Sequence, residues 1–284
     1  MTTTMTRKKK KTKKKQKGQN RRTAATSDKH ELYEKSVQNP EGEAEFVDQV
    51  WKERRRRLAR HIREDFCGTA VASVEWVKLR KTNTAIAVDI DPEVLNWGRE
   101  RLSQRLDDDQ QTRLTLREAD VLKVRTDPVD TVMAMNFSYY LFKTREALGH
   151  YFSRVHRALI DDGIFLLDAY GGSDSFLEMQ EKRRVEGFTY IWDQALYNPV
   201  TGEAVNHIHY RFPDGSEIKK AFTYDWRLWT LPEIQELLYE AGFSKVTVYW
   251  EGTNEETGEG NDEFKPTRRG EACQGWIAYV AAEK

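Results

Sequence analysis

Cysteine is nearly absent: Cys67 and Cys273 are the only two in 284 residues. Two such distant thiols define no disulfide framework and fit a reducing compartment, so a cytoplasmic protein is expected. Long apolar runs are missing too. No stretch approaches the roughly 20 apolar residues that a membrane span needs. No apolar core follows the basic start, so no secretory leader is expected. Acidic residues are scarce at one end. The first 28 residues hold eleven Lys or Arg against the single acid Asp28, a local charge of +10. The formal total is zero, so residues 29–284 carry −10.

Residues 1–28 have too little apolar surface to offset their ordering entropy and are predicted to be a disordered basic tail. Two roles remain open for it. One is weak contact with nucleic acid or another anionic surface; the other is a solubilising extension without a partner. The acidic body argues against a broad nucleic-acid track outside the tail. No internal repeat is present.

Residues 29–57 read as helical. Leu32, Tyr33 and Val37, then Phe46, Val47, Val50 and Trp51, recur at helical spacing around the break Asn39-Pro-Glu-Gly42. Strand and helix signals then alternate. Strands are predicted at Leu58–Glu64, Thr84–Ile90, Leu114–Ala119, Val129–Met135 and Ile164–Asp168. Helices are predicted at Ala70–Arg80, Pro92–Leu106 and Thr144–Leu159, with Asp161-Asp-Gly163 as a turn. Continuous apolar strands alternating with helices imply βαβ units and a parallel sheet covered on both faces. After Ala169 the pattern changes. Aromatic segments Phe188–Leu196, Ala204–Phe212 and Ile218–Trp229, separated by Asn-Pro and Pro-Asp-Gly signals, read as an antiparallel insertion over 187–229. A capping box at Thr230-Leu-Pro-Glu233 opens another helix. Lys245–Trp250 and Trp276–Ala281 are the last strands predicted, joined by a loop over Glu251–Glu271.

Three turns follow the first three strands. Gly68, in Arg63-Glu-Asp-Phe-Cys-Gly-Thr-Ala70, lets a backbone approach a ligand closely. Asp89, 21 residues on in Val88-Asp-Ile-Asp-Pro92, suits a ribose diol. Asp120, in Glu118-Ala-Asp-Val121, can accept from the exocyclic amine of a base. Each also serves as an ordinary cap or turn residue; their order gives them weight.

With these turns the sequence resembles the class I S-adenosylmethionine-dependent methyltransferases, over roughly residues 30–284. Asp65-Phe-Cys-Gly-Thr-Ala70 stands for the first motif, Val88-Asp-Ile-Asp-Pro92 for the second and Ala119-Asp120 for the third. Met135-Asn-Phe-Ser138 stands for the fourth, Asp161–Asp168 for the entry to the fifth strand, and Glu240-Ala-Gly-Phe243 for the end of the last helix. The resemblance implies a Rossmann-like, mostly parallel sheet with helices on both faces and an antiparallel last strand. It implies S-adenosylmethionine as cofactor and methyl transfer by in-line displacement at the sulfonium. Residues 29–57 would be a helical lid, 58–170 the cofactor-binding half, and 187–229 part of the substrate site.

Carried over by motif, Gly68 would lie under the methionine moiety, Asp89 would bind the ribose hydroxyls, and Asp120 and the Val121 backbone would face the adenine, with Thr69 and Ile90 counted among the cofactor contacts. Asn136 and Phe137 sit near the sulfonium. Two departures stand out: Phe66 and Ala70 replace motif glycines, and the first strand is polar. Arg63 is expected to pair with the cofactor carboxylate, a structural salt bridge with its acidic neighbours being the alternative. Tyr33 is expected to close over the cofactor. Asn136, Tyr139 and Tyr140 are candidates near the methyl group, and no catalytic base is identified. Tyr170, Trp192, His209 and Arg227 are candidate acceptor contacts. The aromatics equally suit the filling of a β insertion, and His207 with His209 suits ordinary strand residues better than a metal pair, so no metal is expected. Cys67 reads as a small buried turn residue.

The leading expectation is a small or medium-sized methyl acceptor. An RNA methyltransferase using the basic tail, and a non-catalytic cofactor-binding protein, are the alternatives. A nicotinamide oxidoreductase is disfavoured because the G-x-G-x-x-G spacing is absent. No motif specifies the acceptor or the oligomeric state.

Overall fold

A computed structural model describes residues 22–254 and 260–284. In chain order the elements begin α1 (Lys29–Ser36), α2 (Pro40–Arg55), β1 (His61–Asp65), α3 (Val71–Leu79), β2 (Thr84–Asp89), α4 (Pro92–Arg99), α5 (Leu102–Arg105) and α6 (Asp108–Thr112). There follow β3 (Leu114–Glu118), β4 (Val129–Ala134), α7 (Arg145–Ala158), β5 (Leu159–Gly171), β6 (Met179–Val185), β7 (Phe188–Tyr197), β8 (Glu203–Arg211) and β9 (Glu217–Arg227). The chain closes with α8 (Leu231–Glu240), β10 (Lys245–Thr253), β11 (Gly260–Thr267) and β12 (Trp276–Glu283).

The main sheet has the order β11-β10-β12-β5-β4-β1-β2-β3. Strands β1 to β5 pair in parallel, whereas β12 runs antiparallel to β5 and β10. β4 is buried at every position, as a central strand covered on both faces requires. The strand order reverses between β1 and β4, where Glu64 lies opposite Met133. Ligands of open α/β sheets bind beyond the carboxyl ends of strands at such a point.

Helix α2 starts at Pro40, with Asn39 capping Gly42 N–H at 3.2 Å. Its buried face carries Phe46, Val47, Val50 and Trp51, each worth roughly 1.5–3 kcal/mol when fully covered. Trp51 Nε1 donates to Thr131 Oγ1 of β4 at 2.6 Å, fixing this helix to the sheet.

Several boundaries differ from the sequence expectation. β1 begins at His61 rather than Leu58, because the Arg60 and His61 N–H groups are taken by Asp130 Oδ2 at 2.8 Å. The helix expected over Pro92–Leu106 breaks after Arg99 into α4 and the short α5. Asp161-Asp-Gly163, expected as a turn, lies inside β5, whose pairing with β4 jumps from Val129–Leu159 to Thr131–Ile164.

The aromatic insertion is a second sheet of order β6-β7-β8-β9, antiparallel throughout. It begins earlier than residue 187, because β6 adds the edge strand Met-Gln-Glu-Lys-Arg-Arg-Val. That strand has no apolar alternation to betray it, and its charges suit an edge that must not pair further. β11, inside the expected loop Glu251–Glu271, hides for the same reason and carries the edge-compatible Pro266.

Leu32 of α1 packs with Phe188, Ile208, Tyr210 and Phe212, docking the helix on the second sheet. The basic run up to residue 21 lies outside the described residues. Residues 22–28, assigned by sequence to the disordered tail, are ordered: Arg22 pairs with Glu31 at 2.6 Å, and Ala24 N donates to Ser216 Oγ at 2.9 Å. Among the described residues no helix is long and apolar enough to cross a membrane.

Candidate active site

The turn after β1 runs through Phe66, Gly68 and Ala70 with φ of 59°, 54° and 61°. Left-handed backbone is free to glycine and costs other residues roughly 1 kcal/mol or more. Phe66 and Ala70, where the resemblance leads one to expect glycine, thus hold the left-handed backbone that glycine favours. A Cβ on Gly68 would meet nothing nearer than Val94 at 4.0 Å, so the face above the turn is open. Gly98 holds the turn from below: a Cβ there would lie 2.5 Å from Thr69 O. Thr69 Oγ1 is buried and has no hydrogen-bond partner among the described residues.

Asp89 ties the first two turns together. Its Oδ2 accepts from Gly68 N–H at 2.7 Å and its Oδ1 from Asp91 N–H at 3.0 Å. Ala119 N–H reaches Asp89 O at 2.8 Å, bringing the third turn alongside. There Asp120 accepts from Leu122 N–H at 2.9 Å and pairs with Lys123 at 3.2 Å, while Val121 is buried beneath. Ile90 is 69% exposed, an apolar side chain left in water at the rim of the crevice.

The fourth turn is also left-handed, with φ of 58° at Asn136 and 57° at Phe137. Both N–H groups donate to the Asp168 carboxylate at 2.8 Å. Burial pushes the Asp168 pKa up to about 7, against the pull of those two bonds. Burial likewise raises Glu64 to about 7, although Ser73 donates to it from N at 2.9 Å and Oγ at 2.5 Å. Glu43 of α2 is raised well above the carboxylate range by burial and then by the charges of Glu64 and Asp168. Sequence reasoning missed Glu43. Its signal was a carboxylate in line with Phe46, Val47 and Val50 on the buried face of α2.

These features fit S-adenosylmethionine. Its sulfonium and ammonium outweigh its carboxylate, so a site with three buried acids gains from receiving it. The orphaned Thr69 hydroxyl and the open face of Gly68 leave room and a polar partner for its methionine end.

The other sequence candidates divide. Tyr33 of α1 packs on Phe222 with ring centroids 4.9 Å apart. Burial pushes its phenol to about 12, with Tyr224 opposing and the Asp168 and Glu43 charges adding. Tyr33 thus stands between the second sheet and the acids. Tyr170, two residues beyond Asp168, lies 4.7 Å from Phe137. Trp192 joins Tyr224 and Trp226 at 5.9 and 6.2 Å. These aromatics do converge.

Five other candidates are engaged elsewhere. Arg63, expected at the cofactor carboxylate, is buried on the α7 side of β1. Its Nε and Nη2 lie 2.9 Å from the two Asp65 oxygens, and Tyr151 donates to Asp65 at 3.0 Å. The nearest carboxylate, two residues away on the same strand face, captured it. Tyr139 and Tyr140 are fully buried, their hydroxyls donating to Asp168 O at 2.6 Å and Trp229 O at 3.3 Å, so they brace the crevice from the core. His209 pairs with Asp193 at 2.9 Å on the face of β8 opposite Asn206. Strand alternation, with odd and even positions on opposite faces, put it there. Arg227 binds Glu233 at 2.8 Å and lies 3.8 Å over Trp229, clamping the end of β9 to α8.

Residues 65–167 match the family model described as a methyltransferase domain. No curated protein matches the chain by sequence. Three solved structures share the fold over most of both chains. An S-adenosylmethionine-dependent methyltransferase from Clostridium acetobutylicum is 14% identical, covering 88% of this chain and 96% of its own with a TM-score of 0.63. An amino pentose methyltransferase from Micromonospora echinaspora is 16% identical, covering 90% and 96% with a TM-score of 0.62. A sugar N-methyltransferase from Streptoalloteichus is 17% identical, covering 96% and 98% with a TM-score of 0.60. Fold and site thus define the class I methyltransferase architecture. Residues 65–167 match a methyltransferase domain, and the chain has the fold of S-adenosylmethionine-dependent methyltransferases.

Proposed function

We propose that the protein methylates an amine of a small molecule. The observation that carries this is the meeting of half-buried aromatic faces from the second sheet with the Glu43, Glu64 and Asp168 acids. Aromatic faces and carboxylates both favour a cationic guest. Two of the structural neighbours act, by their descriptions, on amino pentose and sugar nitrogen, which is consistent with such an acceptor.

In this reading Asp89 and Ile90 hold the ribose, Asp120 and Val121 the adenine edge, and Gly68 and Thr69 the methionine end. The cofactor, when bound, supplies a methyl group on a sulfonium. Asn136 and Phe137, fixed by Asp168, set the floor beside that group. Tyr33 closes the site against water, and Tyr170 and Trp192 flank the acceptor. Alignment and exclusion of water are the main demands of such a displacement.

Incubation with S-adenosylmethionine and paired primary amines and alcohols of equal size tests this by mass spectrometry. Methylated nitrogen in at least one amine, with the matched alcohols unchanged, is expected. Methylation confined to oxygen would replace this reading.

A further inference from the structure

Charge in this protein is unevenly placed. Residues 7–17 hold nine Lys or Arg and no acid, whereas residues 29–284 carry −10. A groove between α2 and β11 concentrates part of that negative surplus. Its volume is about 580 Å³, and its lining holds the carboxylates Glu41, Glu45, Glu53, Asp262 and Glu263 against Lys265. Lys265 is already paired with Glu263 at 3.0 Å, and Glu53 accepts from Tyr249 Oη at 3.0 Å. Glu41, Glu45 and Asp262 are exposed, and their carboxylates have no hydrogen-bond or ion-pair partner among the described residues.

Carboxylates alone, spread on a surface, ask for nothing but water. Here they rim a concave aromatic floor. Phe264 and Tyr279 stack with ring centroids 3.9 Å apart, and Phe46 lies 4.6 Å from Tyr279. Gln49 Nε2 donates to Phe264 O at 3.1 Å, tying the helix wall to the strand wall. Burial raises the Tyr279 phenol well above its ordinary range, and the charges of Glu43, Asp168, Asp262 and Glu251 add to the rise. Negative potential thus converges on this floor. Aromatic faces attract cations, and a lysine can lay its apolar stem on a ring while its ammonium stays at the acidic rim.

The path of the chain brings the basic segment within reach. Arg22, the first described residue, pairs with Glu31 of α1 at 2.6 Å. Asn39, at the end of the groove, follows Glu31 by five helical steps to Ser36 and three extended ones, at most about 18 Å. Residues 7–17 stand five to fifteen positions before Arg22, and a chain extended over that length spans about 17–50 Å. Tethering of this kind holds the segment near the groove at about millimolar effective concentration, so a weak site fills. We propose that residues 7–17 dock in the groove of their own chain, with their cations against Glu41, Glu45, Asp262 and Glu263 and their lysine stems on the Phe46, Phe264 and Tyr279 rings. The basic segment is then engaged by the body at low salt and is released as salt screens the exposed charges. The docking is independent of which acceptor the enzyme methylates.

Full-length protein, an equal mixture of isotope-labelled and unlabelled chains at low salt, is treated with a carbodiimide, which joins a lysine amine to a carboxylate it touches. The links are mapped by mass spectrometry. Links from lysines of residues 7–17 are expected on Glu41, Glu45, Asp262 or Glu263 of the same chain, well above those on Asp108 and Glu146, exposed acids elsewhere on the body. Trypsin gives a second readout. Wild type is expected to be cut within residues 7–17 on the order of tenfold more slowly than the triple variant Glu41→Gln, Glu45→Gln, Asp262→Asn at low salt, and equally fast at high salt. The three substituted side chains are exposed and unpaired, so the variant is expected to melt as wild type does. Links spread evenly over the exposed acids overturn the proposal, as does equal cleavage of wild type and variant at low salt. Links only between labelled and unlabelled chains overturn it too, since they would give the groove to the segment of a second copy.

Discussion

The two sheets hold their sites in opposite ways. In the main sheet, carboxylates bind main chain: Asp89 takes Gly68 N–H, and Asp168 takes the N–H groups of Asn136 and Phe137. Loop shape there is fixed by carboxylate bonds to main-chain N–H groups, and Phe66 and Ala70 hold left-handed backbone in the first of these turns. In the second sheet the candidate site is built from side-chain faces, with Trp192, Tyr224 and Trp226 packed together.

The sharpest break in this comparison is the ion pair inside the main sheet. Arg63→Ala leaves the Asp65 carboxylate buried without its partner and is expected to cost about 3–5 kcal/mol of unfolding free energy. The double substitution Arg63→Leu with Asp65→Leu is expected to recover most of that loss in denaturant melts. Loss of cofactor binding in a fully stable Arg63→Ala protein would instead restore Arg63 to the ligand.

Charge gives the next effect. Glu64 and Asp168 have ordinary pKa values of 4.5 and 3.8 and folded values of about 7. A raised acid pKa means the folded state binds protons more strongly. These groups therefore stabilise the fold most at low pH, and that contribution is lost as pH rises from about 4 through 7. A cation in the site offsets the loss. The melting-temperature gain from S-adenosylmethionine is thus expected to be larger at pH 8 than at pH 5.5, and a gain independent of pH would contradict it. Smaller still, Ala70→Gly relieves a left-handed alanine and is expected to change stability by about 1 kcal/mol or less in the favourable direction. A clear loss in thermal melts would show that the Ala70 methyl matters more than its φ of 61°.

Much of the main sheet was legible because its strands are apolar and its turns carry carboxylates at family spacing. Asp89 and Asp120 stand at the turns after the second and third strands, where the sequence placed them. The β6 and β11 edges were not legible, since solvated charged strands resemble loops. Side-chain direction was the other blind spot. His209 and Trp192 were equal candidates in sequence, and only strand register separates the outer face from the inner one. Arg63 was misread for a related reason, because a partner two residues away on a strand shares its face. Glu43 could have been found by asking why a carboxylate sits on the apolar face of α2.

The measurement closest to the central claim is calorimetric titration of S-adenosylmethionine into wild type and Asp89→Ala, with folding of both checked by circular dichroism. Saturable binding to wild type, weakened on the order of a hundredfold in Asp89→Ala through loss of bonds to a charged acceptor, is the predicted result. A folded wild type that binds no S-adenosylmethionine, or an Asp89→Ala protein that binds it equally well, would contradict the account.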